Sequence, residues 1–233
     1  ETGVLYKKTT DGTVMEGWID TDITEIVVPE GVTEIPENAF NTGAKTNPQI
    51  TSIDLPSSVT KIGNSAFRYS EITKINLESV TDIGANAFQY CEALTAVDLP
   101  MVKDIGSMAF ANSGITTVAN LENVETIAKQ AFMSCTNLKS IILPDGITKI
   151  EQTTFANCTA LELLVLPSSV TTIENAAFKN LGSQTSCTLL MQSETLSSVT
   201  TPFGSNGATK PEKLIIYYPT GAEDSYKQFG LLT

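Results

Sequence analysis

The sequence predicts an α/β-type solenoid. Its coils stack so that one strand from each builds a parallel sheet on a concave face, with short helical turns on the convex face and a right-handed course. The first observation is a repeat, seen most plainly in residues 135–155. A Phe is preceded by Ile five residues earlier and by Val or Ile eight earlier, as in Val32/Ile35/Phe40, Val59/Ile62/Phe67, Val80/Ile83/Phe88 and Val102/Ile105/Phe110. The series continues through Val124/Ile127/Phe132, Ile147/Ile150/Phe155 and Val170/Ile173/Phe178. Successive Phe residues are 27, 21, 22, 22, 23 and 23 positions apart. The second observation is a short alternating run in each copy, such as Ile53-Asp54-Leu55 or Val97-Asp98-Leu99, and period-two alternation of this kind reads as a strand. The third is size. A unit of roughly 22 residues cannot bury its apolar face alone, so neighbouring units must stack, with strands about 4.8 Å apart.

Residues 1–22 differ from the repeat. Val4-Leu5-Tyr6 and Thr13-Val14-Met15 flank Thr10-Asp11-Gly12, and Asp-Gly between strand-like runs signals a hairpin. This hairpin, with Trp18, is expected to cap the first coil, because terminal repeats need closure. Residues 23–191 hold the repeats in a single domain. Pro follows most strands (Pro29, Pro56, Pro100, Pro144, Pro167), where it ends them without costing an interior ladder bond. The copy Val118-Ala119-Asn120, followed by Leu121, is less regular. Residues 41–49 form a loop insertion, 182–186 another loop, and Cys187–Met191 a strand. Residues 192–233 comprise a degenerate stretch (192–213), a final strand over 214–218 stopped by Pro219, and a closing helix. That helix is expected from Thr220 and Glu223 as a capping box and from Ala222, Tyr226 and Phe229 at helical spacing.

Composition removes several function classes. Net charge is −12, which argues against a nucleic-acid or anionic-membrane footprint. No run of 18 apolar residues could span a membrane. The chain starts Glu1-Thr2-Gly3 with no signal peptide, as a mature or trimmed chain would. Histidine is absent, which removes Ser-His-Asp and Cys-His dyads and His-ligated metals. No phosphate-cradling glycine loop and no zinc-type cysteine spacing is present, so neither a metal nor a cofactor is expected. An enzyme using carboxylates alone needs two facing each other across a cleft, and a stacked open sheet offers ladders instead.

The pattern of Leu138–Pro144, Ile147–Phe155 and Cys158 resembles the BspA-like leucine-rich repeats of bacterial surface proteins. The ending is similar too: Thr201-Pro202-Phe203-Gly204, Ile216–Pro219 and Ser225-Tyr226-Lys227 look like that family's closing segment. The resemblance runs from about residue 23 to the end, and its periods lie in the leucine-rich-repeat range. It implies an extracellular or cell-surface location and an adhesion or recognition role. It offers no catalytic motif and no fixed set of binding residues.

Candidate contact residues follow from the outward strand positions. Asp54, Asn76 and Asp98 occupy one outward row and read as a solvated polar face; bridging by Ca²⁺ is the alternative, but three ligands fall short of the 6–8 oxygens that ion takes. Further along, the row becomes Ile142 and Val165, then Tyr217, with Leu163 and Ile215 in the preceding outward positions. Either this apolar half of the face is a contact site for an extracellular protein or glycan, or residues 192–213 fold back over it. A spacer with no ligand of its own is the rival function. Cys91, Cys135 and Cys158 lie three residues after the repeat Phe, in a slot held elsewhere by Ser70 and Ser113. They read as small buried residues rather than as reactive thiols or a Cys135–Cys158 disulfide. Cys187 lies outside the slot.

Overall fold

The structure is a computed structural model that describes residues 4–9, 12–18, 24–41, 43, 50–204, 212–228 and 231–232. Strands Val4–Thr9 and Gly12–Trp18 pair antiparallel, giving the expected hairpin with an irregularity between Leu5 and Tyr6. Eight coils follow, each made of a first strand of two to five residues (the long strand) and, eight to eleven residues on, a two-residue short strand. They are Glu25–Val27 with Glu34–Ile35 (coil 1), Ser52–Asp54 with Lys61–Ile62 (coil 2), Lys74–Ile75 with Asp82–Ile83 (coil 3) and Ala96–Asp98 with Asp104–Ile105 (coil 4). Next come Thr117–Ala119 with Thr126–Ile127 (coil 5), Ser140–Ile142 with Lys149–Ile150 (coil 6), Leu163–Leu166 with Thr172–Ile173 (coil 7) and Cys187–Met191 with Ser198–Val199 (coil 8). A last strand, Leu214–Tyr217, pairs with coil 8.

All pairing between coils is parallel, in two sets of sheets. The long strands form a sheet over coils 1–3 and another from coil 4 to the last strand. The short strands form one sheet over coils 1–5 and one over coils 6–8. The second set follows from the repeat itself, since the invariant Ile of each of the seven copies is the buried residue of its short strand.

The helical turns expected on the far side do not form. The Ile-x-x-x-Ala-Phe segment runs instead as overlapping β-turns. In coil 2, Ala66, Arg68 and Ser70 N–H groups bond three residues back, to Gly63, Ser65 and Phe67 carbonyls. The alternate N–H groups of Ser65, Phe67 and Tyr69 reach the next coil's Ala85, Ala87 and Gln89 carbonyls at 2.8, 2.8 and 2.9 Å. A third inter-coil ladder results. It requires a left-handed residue two before and two after each Phe; Ser65, Met108 and Thr153 have φ of 54°, 56° and 52°. Residues with positive φ cannot continue a right-handed helix, so the only helix among the described residues is α1, Glu223–Gln228. At Gly63, Gly84 and Gly106, a Cβ would stand 2.6–2.7 Å from the preceding coil's backbone nitrogen. Glycine there lets successive coils close to ladder distance.

The core is a set of stacked columns. Phe67, Phe88, Phe110, Phe132 and Phe155 are fully buried, with adjacent rings 5.3–5.7 Å apart and within 7° of parallel. Each such burial contributes roughly 1.5–3 kcal/mol. From Ala66 to Ala177 the residue before each Phe, Ala in five copies and Thr154 in the other, accepts the preceding coil's Phe N–H on its carbonyl. Beside the rings runs the slot column. The Sγ of Cys91, Cys135 and Cys158 donates to the carbonyls of Phe67, Phe110 and Phe132 at 3.0, 3.1 and 3.2 Å. All four cysteines are free and buried, and burial pushes the Cys91 and Cys135 thiols up to about 12. Cys187, unexplained by the repeat, packs where Gly182 leaves room: a Cβ on Gly182 would lie 2.2 Å from the Cys187 Cβ.

Coil 8 escapes the sequence pattern because it is one residue short. Leu196, Val199 and Phe203 fill the repeat positions at spacings of seven and four before Phe. Its ladder bond survives, from Phe178 N–H to the Pro202 carbonyl at 2.8 Å. Tyr226 of α1 is fully buried, stacks on Tyr218 and donates to the Ser193 carbonyl at 2.7 Å. Thr220 does not cap this helix, because Gly221 at φ 91° keeps the chain non-helical up to Ala222. Ala222 is buried as expected, and Phe229 lies outside the described residues.

The stack has a seam between coils 5 and 6. In coil 4 one residue separates buried Val97 from buried Leu99, but two separate Val118 from buried Leu121. Asn120 takes up the extra residue at φ 54°, as in a β-bulge. The following corner has two residues in coil 5 (Glu122, Asn123) and three in coil 6 (Pro144, Asp145, Gly146). Long-strand pairing across the seam shrinks to Thr117 with Ser140, and the short strands are not bonded. The turn ladder (Gln130 N–H to the Gln152 carbonyl, 3.0 Å) and the Phe stack bridge it instead.

Candidate binding face

Strand pleating sets the face. Inward residues of the long strands feed the core, and those between them face out. Register aligns one outward row as Val27–Asp54 in coils 1 and 2, Asp98–Ala119 in coils 4 and 5, Ile142–Val165 in coils 6 and 7, and Leu190–Tyr217 thereafter. The second row holds Ser52–Lys74, Thr117–Ser140–Leu163–Thr188 and Ile215.

From coil 2 to coil 4 the row is polar, although coil 1 opens it with the exposed Val27. Asp54, Asn76 and Asp98 are exposed and line one shallow pocket of about 550 Å³ with Lys74 and Glu78. The sheet is interrupted between coils 3 and 4, because the Asn76 side-chain oxygen accepts the Glu78 N–H at 3.0 Å and ends its strand. Asp98 accepts the Asn120 amide at 2.7 Å. Two of the three side chains are therefore engaged locally. Among the described residues no group of three His, Cys, Asp or Glu side chains is placed to hold a metal ion.

In the second half the row is apolar. Ile142, Ile215 and Tyr217 are 62 %, 51 % and 56 % exposed. Leu163 is half-buried, whereas Val165 is only 8 % exposed, because its register neighbours Ile142 and Leu190 flank it on both sides. Leu190, which the interrupted repeat concealed, completes Ile142–Val165–Leu190–Tyr217. Residues 192–204 do not cover this surface; they form the rest of coil 8, on the short-strand side. Residues 205–211, the rest of the degenerate stretch, lie outside the described residues. At the seam, the bulge opens a pocket of about 330 Å³ lined by Val118, Leu121, Ile142 and Pro144, with Asn120 and Glu122 at its rim. Sequence reasoning noted the irregular copy but not the opening it makes.

A solenoid of parallel strands with this repeat defines the leucine-rich-repeat class. The profile described as "BspA type Leucine rich repeat region" matches residues 17–139 and 103–200, in 6 copies, and the chain belongs to that family. Solved structures share the fold. A leucine-rich repeat protein from Bacteroides ovatus is 22 % identical over 93 % of this chain and 70 % of its own, with a TM-score of 0.65. A T. pallidum leucine-rich repeat protein is 21 % identical over 98 % of this chain and 94 % of its own, at 0.59. A leucine-rich cell surface protein from Faecalibacterium prausnitzii is 18 % identical over 86 % and 71 %, at 0.55. No curated protein sequence matches the chain. No helix among the described residues is long and apolar enough to cross a membrane.

Proposed function

We propose that this chain is a single-domain, non-enzymatic recognition module of an exported bacterial surface protein, closed at its start by the hairpin. The observation that carries the reading is the exposed apolar row of the second half. Contiguous apolar surface of this kind usually marks a contact site. It lies on a ladder-bonded sheet, so a partner meets a preformed surface and orders little on binding. Large apolar and aromatic side chains favour a protein partner, with Ile142 and Tyr217, at the two ends of the row, as anchors. Family membership and the likeness to a leucine-rich cell surface protein of F. prausnitzii support the export part of the reading.

The test is a binding screen against extracellular-matrix proteins and a glycan array, with an Ile142→Asp/Tyr217→Asp variant alongside. Both side chains are exposed, so the variant is expected to fold. A saturable hit weakened at least about tenfold, or 1.4 kcal/mol, in the variant supports the reading. A hit of full strength in the folded variant refutes this placement of the site, and no saturable hit favours a spacer.

A further inference from the structure

On the flank of the stack, where the turn ladder leads back towards the long strands, coils 2 and 4 are shorter than their neighbours, and coil 4 lies between two regular ones. Coils 3 and 5 go from the slot cysteine to the next buried Leu in three steps, Cys91 to Leu94 and Cys135 to Leu138. Coil 4 makes the crossing in two, Ser113 to Ile115. Gly114 permits the short cut. Its N–H donates to the Cys91 carbonyl at 3.0 Å, and a Cβ there would stand 2.0 Å from the Glu92 carbonyl oxygen. Coil 4 therefore sinks between two longer links and leaves a groove of about 660 Å³, within the range of small-ligand sites.

The lining is polar, and part of it is unspent. Glu92, Thr136 and Asn137 are exposed, and none has a side-chain hydrogen bond or ion pair among the described residues. The Asn112 amide is also uncommitted. On the coil 5 side, Asn180 donates to Asn157 at 2.9 Å and Asn157 to the Ser134 hydroxyl at 3.3 Å. That chain leaves the Ser134 proton to be donated onward, and linked hydrogen bonds of this kind polarise one another. Tyr90 forms one end of the groove. One face of its ring stacks on Tyr69, with centroids 4.7 Å apart and planes 4° from parallel. The other face looks towards coil 4, where the same repeat position holds Asn112 and the aromatic column stops.

We propose that this groove binds a short neutral saccharide. Amides and hydroxyls that both donate and accept match sugar hydroxyls, a carboxylate accepts from a pair of them, and the half-buried Tyr90 ring adds apolar surface for pyranose C–H groups. Glu92 and the net charge of −12 oppose an anionic ligand. The inference stands apart from the apolar row, since the two surfaces share no residue.

The experiment uses the full chain. Saturation-transfer NMR with methyl glycosides of glucose, galactose, mannose and N-acetylglucosamine is run beside an array of neutral oligosaccharides. The variants are Thr136→Ala/Asn137→Ala, Tyr90→Ala and Ile142→Asp/Tyr217→Asp, each checked for fold by circular dichroism. The expected result is saturable binding of at least one saccharide. It should weaken tenfold or more in Thr136→Ala/Asn137→Ala, and in Tyr90→Ala if that variant folds, and stay unchanged in Ile142→Asp/Tyr217→Asp. No binding by any probe overturns the proposal. So does binding indifferent to Thr136→Ala/Asn137→Ala, or a protein ligand that needs these residues while no saccharide binds.

Discussion

Replacing Phe110 by Ala tests whether the aromatic column holds the stack. Phe110 is fully buried, with Phe88 at 5.3 Å on one side and Phe132 at 5.5 Å on the other, both nearly parallel. Truncating a buried Phe costs about 3–5 kcal/mol through lost transfer energy and the cavity left behind. Two aromatic contacts vanish as well, each worth about 0.5–1.5 kcal/mol beyond area burial. Ladder bonds on both sides of the site limit collapse into the cavity, so the total should reach the upper end, about 5 kcal/mol. Phe110→Leu separates the contributions. It keeps most of the volume and loses both ring contacts, so about 1–3 kcal/mol is expected. Urea unfolding followed by circular dichroism gives both values, provided the slope with denaturant is unchanged. A cost below about 2 kcal/mol for the Ala variant would refute the argument, as would equal costs for Leu and Ala.

Three further outcomes follow from local geometry. Thr153→Asn should stabilise by about 1 kcal/mol, seen as a higher urea midpoint, because Thr153 is β-branched at φ 52° and its buried hydroxyl has no partner. Gly106→Ala should destabilise by about 1–3 kcal/mol in the same assay, since its Cβ meets the Ala85 nitrogen at 2.6 Å. For Cys135, the folded thiol is pushed from 9.0 up to about 12 by burial, so between these values the unfolded chain releases a proton that the folded chain keeps. Its contribution is complete below about pH 9 and is lost as pH rises towards 12, so Cys135→Ser should flatten the fall in stability over that range by about 1.4 kcal/mol per pH unit. An unchanged slope would show that the thiol ionises in the folded chain.

Much of this architecture is legible because stacking demands repetition. The Ile and Phe positions must recur at fixed spacing for their columns to meet, and the slot residues must stay small. Features that depend on insertion or deletion of one residue are harder to read. Coil 8 lies behind a spacing shortened by one, the seam pocket behind one extra residue at Asn120, and the polar groove behind one missing residue at Gly114. The turn side misleads for a different reason. Ile and Ala four residues apart suit a helix as well as a chain of β-turns, and only the left-handed residues between and beyond them decide. Asn38 and Asn86 hint at this, because Asn tolerates positive φ, but Met108, Gln130 and Thr153 in the same place do not. On the binding face, Ile142, Ile215 and Tyr217 were legible as exposed. The burial of Val165 was not, because it depends on Leu190 in a coil the pattern does not reach.

A one-dimensional stack transmits load only through the contacts between successive coils. Tension applied end to end is therefore borne in series, and the step with fewest strand bonds yields first. That step is the seam between coils 5 and 6, which keeps a single long-strand pair and no short-strand bond. The polar groove of coils 3–5 lies almost wholly before it, and the apolar row of coil 6 onward lies after it. Were the chain held between two anchor points under flow, shear would part the solenoid between its two candidate surfaces and leave each on an intact block.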